Sequence, residues 1–196
     1  MGQYVTLAAA VIIGRPRLEA YLRAPVRPAS TWGERDWAGL CAPWSEGRRY
    51  REELSAAVAE CDRWTGGDHA GLLSTLAEDD VLSAGYDPDS GSLALDADVR
   101  VDFRLPGLIW ACTALRGMAS FLTGEDAGLV TVTADWDAGS ALLRLLPGRS
   151  AFLDRERDAA EWARARDLEF EVRCAVPGAV SCEVGGEVGE LLARGA

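Results

Sequence analysis

Within the stretch Leu93–Leu105, apolar and charged residues alternate one for one from Leu95 on. Leu95, Ala97, Val99, Val101, Phe103 and Leu105 fall on one side. Asp96, Asp98, Arg100, Asp102 and Arg104 fall on the other. A period of two is the pleat of a strand with one face in a core and one in water. The turn-forming stretch Asp87-Pro88-Asp89-Ser90-Gly91 precedes it, so Val81–Tyr86 is expected to pair with it as a hairpin. A second hairpin is read at Leu129–Trp136 and Ala141–Leu146, turning at Asp137–Ser140.

Helical spacing rules elsewhere. In Gly47–Trp64 the apolar positions Tyr50, Leu54, Val58, Cys61 and Trp64 recur every three or four residues, which is one helical face. Arg48–Glu52 and Arg49–Glu53 can pair on the opposite face. Pro106 opens a helix to about Leu122 that is apolar nearly all round, with Arg116 its only charge. Such a helix belongs in the centre of a core. Tyr4–Ile13 is a continuous apolar run, consistent with a buried strand, with a helix as the alternative. Shorter helices are expected at Arg17–Ala24 and Ala70–Glu78, a charged one at Leu153–Arg166, and a last one at Glu187–Arg194, while Pro25–Glu46 reads as irregular with a helical turn near Glu34–Cys41.

A third hairpin is read at Leu168–Val176 and Val180–Val184. A two-residue loop would put its apolar sets on opposite faces. A three-residue loop, Pro177–Ala179, puts them together, because a slip of one residue exposes a whole face. That register sets Cys174 beside Cys182 on the core side. The order from residue 80 is then hairpin–helix, three times over.

These elements predict one α+β domain spanning residues 1–196. Its sheet is mainly antiparallel, built from hairpins and packed on a central apolar helix. Residues 1–78 form a helix-rich N-terminal part, and residues 79–196 form the hairpin–helix units.

Composition narrows the chemistry. All 20 basic residues are Arg, and there is no Lys. With abundant Ala, Gly and Asp, this fits a GC-rich bacterial genome. It excludes a Lys Schiff base and a Lys-bearing phosphate loop. One His in the chain leaves little room for metal or relay chemistry. Five Cys at irregular spacings, with no C-x-x-C pair, make no disulfide framework; they read as small buried apolar residues, reduced in the cytoplasm. Val5–Ile13 is too short to span a bilayer, and no positive charge precedes it as in a secretory signal. Met1–Thr6 fits the loose myristoylation pattern, which the bacterial composition argues against.

The net charge of −11 disfavours nucleic acid and anionic membranes as partners. The balance is uneven: residues 1–51 carry eight Arg against four acids, whereas residues 52–196 carry 12 Arg against 27 acids. A basic protein is therefore the expected partner, met by the charged side of the long strand at Asp96, Asp98, Arg100, Asp102 and Arg104. This expectation is of a non-catalytic binding protein of the immunity or inhibitor type. The alternative is a small-molecule binder or enzyme with its pocket near Trp32, Trp37 and Trp44, and with Asp68 and His69 as catalytic candidates. Those Trp lie in a Pro-containing segment preceded by Arg15, Arg17, Arg23 and Arg27, a setting for an acidic ligand. Asp87, Asp89 and Asp98 match a calcium loop poorly, since Gly91 occupies a ligand position, so a plain turn is expected. Neighbouring acids such as Asp79–Asp80, Asp135–Asp137 and Glu169–Glu171 read as solvated surface. No metal or cofactor is implied.

Overall fold

The computed structural model describes residues 4–45, 47–64, 66–78, 82–100 and 105–176. In chain order the elements are β1 (Tyr4–Ile12), α1 (Arg15–Leu22), α2 (Glu34–Cys41), α3 (Gly47–Trp64), α4 (His69–Glu78), β2 (Leu82–Asp87) and β3 (Ser92–Arg100). There follow α5 (Leu105–Gly117, extended by a 3-10 turn over Met118–Phe121), β4 (Ala127–Ala134), β5 (Ser140–Leu146), β6 (Arg149–Phe152) and α6 (Ala159–Ala175).

β1 is one of the two central strands, with β4 beside it. The six strands lie in the order β2-β3-β1-β4-β5-β6, every neighbour antiparallel. This position explains the unbroken apolar run in β1. Val5, Leu7, Ala9 and Val11 enter the main core with the helices, while Ala10 is buried on the opposite face. β3 and β4 flank β1 and run the same way, so the β3–α5–β4 connection carries α5 across the sheet. α5 is buried on nearly every side, as its all-round apolar sequence requires.

The fold is α+β, a mainly antiparallel sheet packed on a central apolar helix with a helix-rich N-terminal part. α5 lies on one face of the sheet with α1–α4 beside it; α6 covers part of the other. No helix among the described residues is long and apolar enough to cross a membrane.

The third hairpin is corrected. Leu168–Val176 does not form a strand: its residues belong to α6, up to Ala175. The alternation Leu168, Phe170, Val172, Cys174 contains a helical subset. Ala165, Leu168 and Val172 are three and four residues apart, and they pack on Ala10, Ala94, Leu129 and Leu142 of the sheet. Phe170 is left 74% exposed, and Cys174 is exposed rather than on the core side. Val180–Val184, Glu187–Arg194 and Cys182 lie outside the described residues, so the hairpin–helix order is seen twice.

Two boundaries also shift. The charged helix starts at Ala159 because residues 153–158 are a turn held by carboxylates. Asp154 accepts from the backbone N–H of Glu156 and Arg157 at 3.0 and 2.9 Å, and Asp158 accepts from that of Asp154 at 2.9 Å. β6, not foreseen, pairs with β5 across Pro147-Gly148, where Gly148 has φ of 70°. Leu105, assigned to the strand, is instead the first residue of α5.

Candidate functional site

The β5–β6 edge of the sheet, α2 and the start of α6 together enclose a cleft of about 1030 Å³. Each wall has a local cause. α2 is amphipathic: Trp37, Leu40 and Cys41 are buried, which turns Arg35 and Asp36 outward to the cleft. α2 can approach β6 only because residue 39 is glycine; a Cβ there would stand 2.5 Å from Cβ of Phe152. The loop after α2 is tied to the β4–β5 loop. Ser45 donates its backbone N–H and hydroxyl to Asp137 at 2.7 and 2.5 Å, and Trp44 donates to the Gly139 carbonyl at 3.2 Å. The Ser45 and Gly139 hydrogen bonds hold the Asp137 carboxyl below the usual range. α3 contributes Arg51, the β6–α6 turn Arg155 and Arg157, and α6 Trp162 and Arg166.

The lining thus has five Arg against three acids, Asp36, Asp154 and Glu156, in a chain whose net charge is −11. Arg166 pairs with Glu169 at 2.6 Å and Arg157 with Asp158 at 3.7 Å. Arg35, Arg51 and Arg155 make no ion pair among the described residues. Asp154 is occupied by its own turn, and hydrogen bonds from Arg157 and Glu156 keep its carboxyl low. Phe152 and Trp162 add aromatic surface.

Directly behind Phe152 lies Arg116, the lone charge of α5. It is 1% exposed. Its guanidinium carbon stands 4.4 Å from the Trp37 ring centroid, 4.8 Å from Trp32 and 5.4 Å from Phe152. Nε donates to the Ser150 hydroxyl at 3.1 Å and Nη2 to the Ser150 carbonyl at 3.4 Å, while Nη1 has no hydrogen-bond partner. Burial pushes the Arg116 pKa down to about 10; the Asp36 carboxylate, which lines the cleft, pulls the other way. The group remains a cation at neutral pH. A buried charge without a carboxylate partner costs on the order of several kcal/mol, of which aromatic faces recover about 2.

The residues singled out in the sequence separate in space. Trp32 and Trp37 wall the Arg116 cage, and Trp37 donates to the Ala29 carbonyl at 2.9 Å. Trp44 packs on Tyr50 and Trp136. None of the three lines the cleft, although the segment that carries them does. His69 is 1% exposed, stacked on Tyr21 at 4.3 Å, with Nδ1 2.9 Å from the Ala24 carbonyl and Nε2 unpartnered against Gly117. Burial lowers its pKa. Asp68 accepts from the Gly71 backbone at 2.8 Å, which caps α4. This pair is thus built into the helix packing.

Of the charged strand residues, Asp96 is held by Arg173 of α6 in two bonds of 2.6 Å. Asp98 is exposed and accepts from Thr6 at 2.6 Å. Arg100 ends β3 opposite Tyr4, and Asp102 and Arg104 lie outside the described residues. Asp87 organises its turn by accepting from Ser90 and Asp89. No group of three or more His, Cys, Asp or Glu is placed to hold a metal among the described residues. Cys41, Cys61 and Cys112 are buried, and burial pushes their thiols up to about 12, 11 and 12.

Sequence reasoning did not reach Arg35, Arg51, Arg155, Arg157, Arg166, Phe152 and Trp162, because they come from five separate elements. Arg116 did carry a signal, as the one charge in an apolar helix. No protein-family model, curated protein or solved structure matches the chain.

Proposed function

We propose that this chain is a binding protein for a small molecule bearing phosphate or carboxylate groups, held in the arginine-lined cleft. The observation that supports it is the local reversal of charge: five guanidinium groups gather at one cleft of an acidic chain, and three of them have no ion-pair partner among the described residues. Arginine's planar fork matches an oxyanion in two bonds. Phe152 and Trp162 offer apolar area for the rest of the ligand. The reading keeps the small-molecule alternative and moves its pocket from Asp68–His69 to the α2–β6–α6 cleft. Calorimetric titration with inorganic pyrophosphate and with citrate at low salt tests it and separates phosphate from carboxylate preference. One of the two is expected to bind, with affinity falling about tenfold or more in an Arg35→Ala/Arg155→Ala variant. Absence of binding by both, or equal affinity in the variant, overturns the reading.

A second reading, engagement of a basic protein, is favoured by carboxylates on the other face of the sheet. Asp98, Asp167 and Glu171 are exposed and make no ion pair among the described residues. It predicts a salt-sensitive complex weakened by Asp98→Asn/Glu171→Gln. A complex unaffected by salt and by that variant would exclude it.

A further inference from the structure

We propose that Arg116 is the anchoring cation of this cleft, reached when the Phe152 side chain rotates away. The inference rests on the cleft reading and identifies the residue that fixes the ligand's oxyanion.

Arg116 is a permanent cation with 1% exposure, yet no carboxylate stands within ion-pair distance of it among the described residues. Its two hydrogen bonds go to one residue, Ser150, and Nη1 is left without a partner. If the side chain served packing alone, an apolar residue of similar volume would do as well or better, because the charge is desolvated without full compensation. The cation–π faces of Trp32 and Trp37 position the guanidinium without using its N–H groups. It is thus a preorganised donor with capacity to spare.

One side chain, Phe152, both touches the cleft and covers the guanidinium. Phe152 ends the short edge strand β6 and is only partly buried. Rotation about its χ1 would open a path from the cleft to Nη1 without moving the sheet. The cleft-lining Asp36 already acts electrostatically on Arg116. An entering phosphate or carboxylate would gain a charge-assisted hydrogen bond in a water-poor setting, where it is strongest. Arg35 and Arg155 would draw the anion in; Arg116 would hold it.

The test is titration of the full chain with pyrophosphate and citrate, in parallel with intrinsic tryptophan fluorescence, since Trp32 and Trp37 lie on the guanidinium. Arg116→Met is expected to fold and to lose about tenfold or more in affinity, together with the ligand-induced fluorescence change. Arg116→Lys, which keeps charge but not the fork, is expected to fall between. Phe152→Ala is expected to bind at least as tightly as the wild type. Wild-type affinity in Arg116→Met, with loss in Arg35→Ala/Arg155→Ala, would overturn the anchor and leave the cleft reading standing. Should Arg116→Met fail to fold, unchanged affinity in Arg116→Lys overturns the anchor. Absence of any binding to the wild-type chain would remove the cleft reading and the anchor with it.

Discussion

Arg116 and His69 are two buried nitrogenous side chains in one core, and they are stabilised in opposite ways. Each lies at 1% exposure against aromatic surface, Tyr21 for His69 and three rings for Arg116, and each has one ring or guanidinium nitrogen with no partner. His69 has a low-cost route into the core, because it can shed its charge. Nδ1 faces the Ala24 carbonyl, burial lowers its pKa, and the neutral ring stacks on Tyr21. Arg116 has no such route at neutral pH, for its pKa falls only to about 10. A buried neutral imidazole leaves only one neutral nitrogen unpaired; a buried guanidinium still has a charge to satisfy. The difference separates a packing residue from a candidate binding residue better than burial or residue type does.

Gly117 and His69 meet at a tight contact. A Cβ at Gly117 would lie 2.5 Å from Nε2 of His69. Gly117→Ala is therefore expected to destabilise the fold by about 3 kcal/mol in denaturant titration. In a His69→Ala background, where the obstructing ring is gone, the same glycine substitution should cost much less. Equal loss in both backgrounds would show that His69 is not what fills the site.

Acid sharpens the contrast. The folded pKa of His69 is below its ordinary value of 6.5, so the unfolded chain binds the proton more readily. His69's contribution to stability is complete above about pH 6.5 and declines as pH falls from there toward the folded pKa, by up to about 1.4 kcal/mol per pH unit. His69→Gln should flatten that part of the profile and Arg116→Met should not. An unchanged slope in His69→Gln would refute the assignment.

The smallest effect concerns a third cation. Arg173 meets Asp96 through two bonds of 2.6 Å, and both side chains are 31% exposed. Here the charge has a carboxylate and water close by. Arg173→Met should cost about 1 kcal/mol, less in high salt, and leave anion titrations unchanged. Loss of anion binding in this variant would show that the effects at Arg116 are not specific to the cleft.

Most of the architecture was legible along the chain. α3 and the two observed hairpins follow from spacing and turn residues, and the all-apolar α5 was correctly placed at the centre, whereas α2 was expected only as a helical turn in an irregular segment. Residues 168–175 misled because period two and the i, i+3, i+4 pattern share Leu168 and Val172. Only the sheet beneath, offering Ala10 and Ala94 as a shallow seat, selects the helix. β6 was hidden because four residues carry too little pattern. The charge asymmetry was visible as well, but not its use, since Asp96 is drawn to Arg173 from 77 positions away.

By itself, the sequence determined an antiparallel α+β domain, its buried apolar helix, and a chemistry without Lys and with a single His. These are properties of local spacing and composition, which no folding event can alter. The tertiary structure alone decided that five arginines scattered over residues 35–166 would converge on one cleft. It also decided that Arg116 would sit behind Phe152 with a donor to spare and that His69 would be closed in. Charge acts through distance in space, and distances between residues far apart in the chain are set only when the strands take their order.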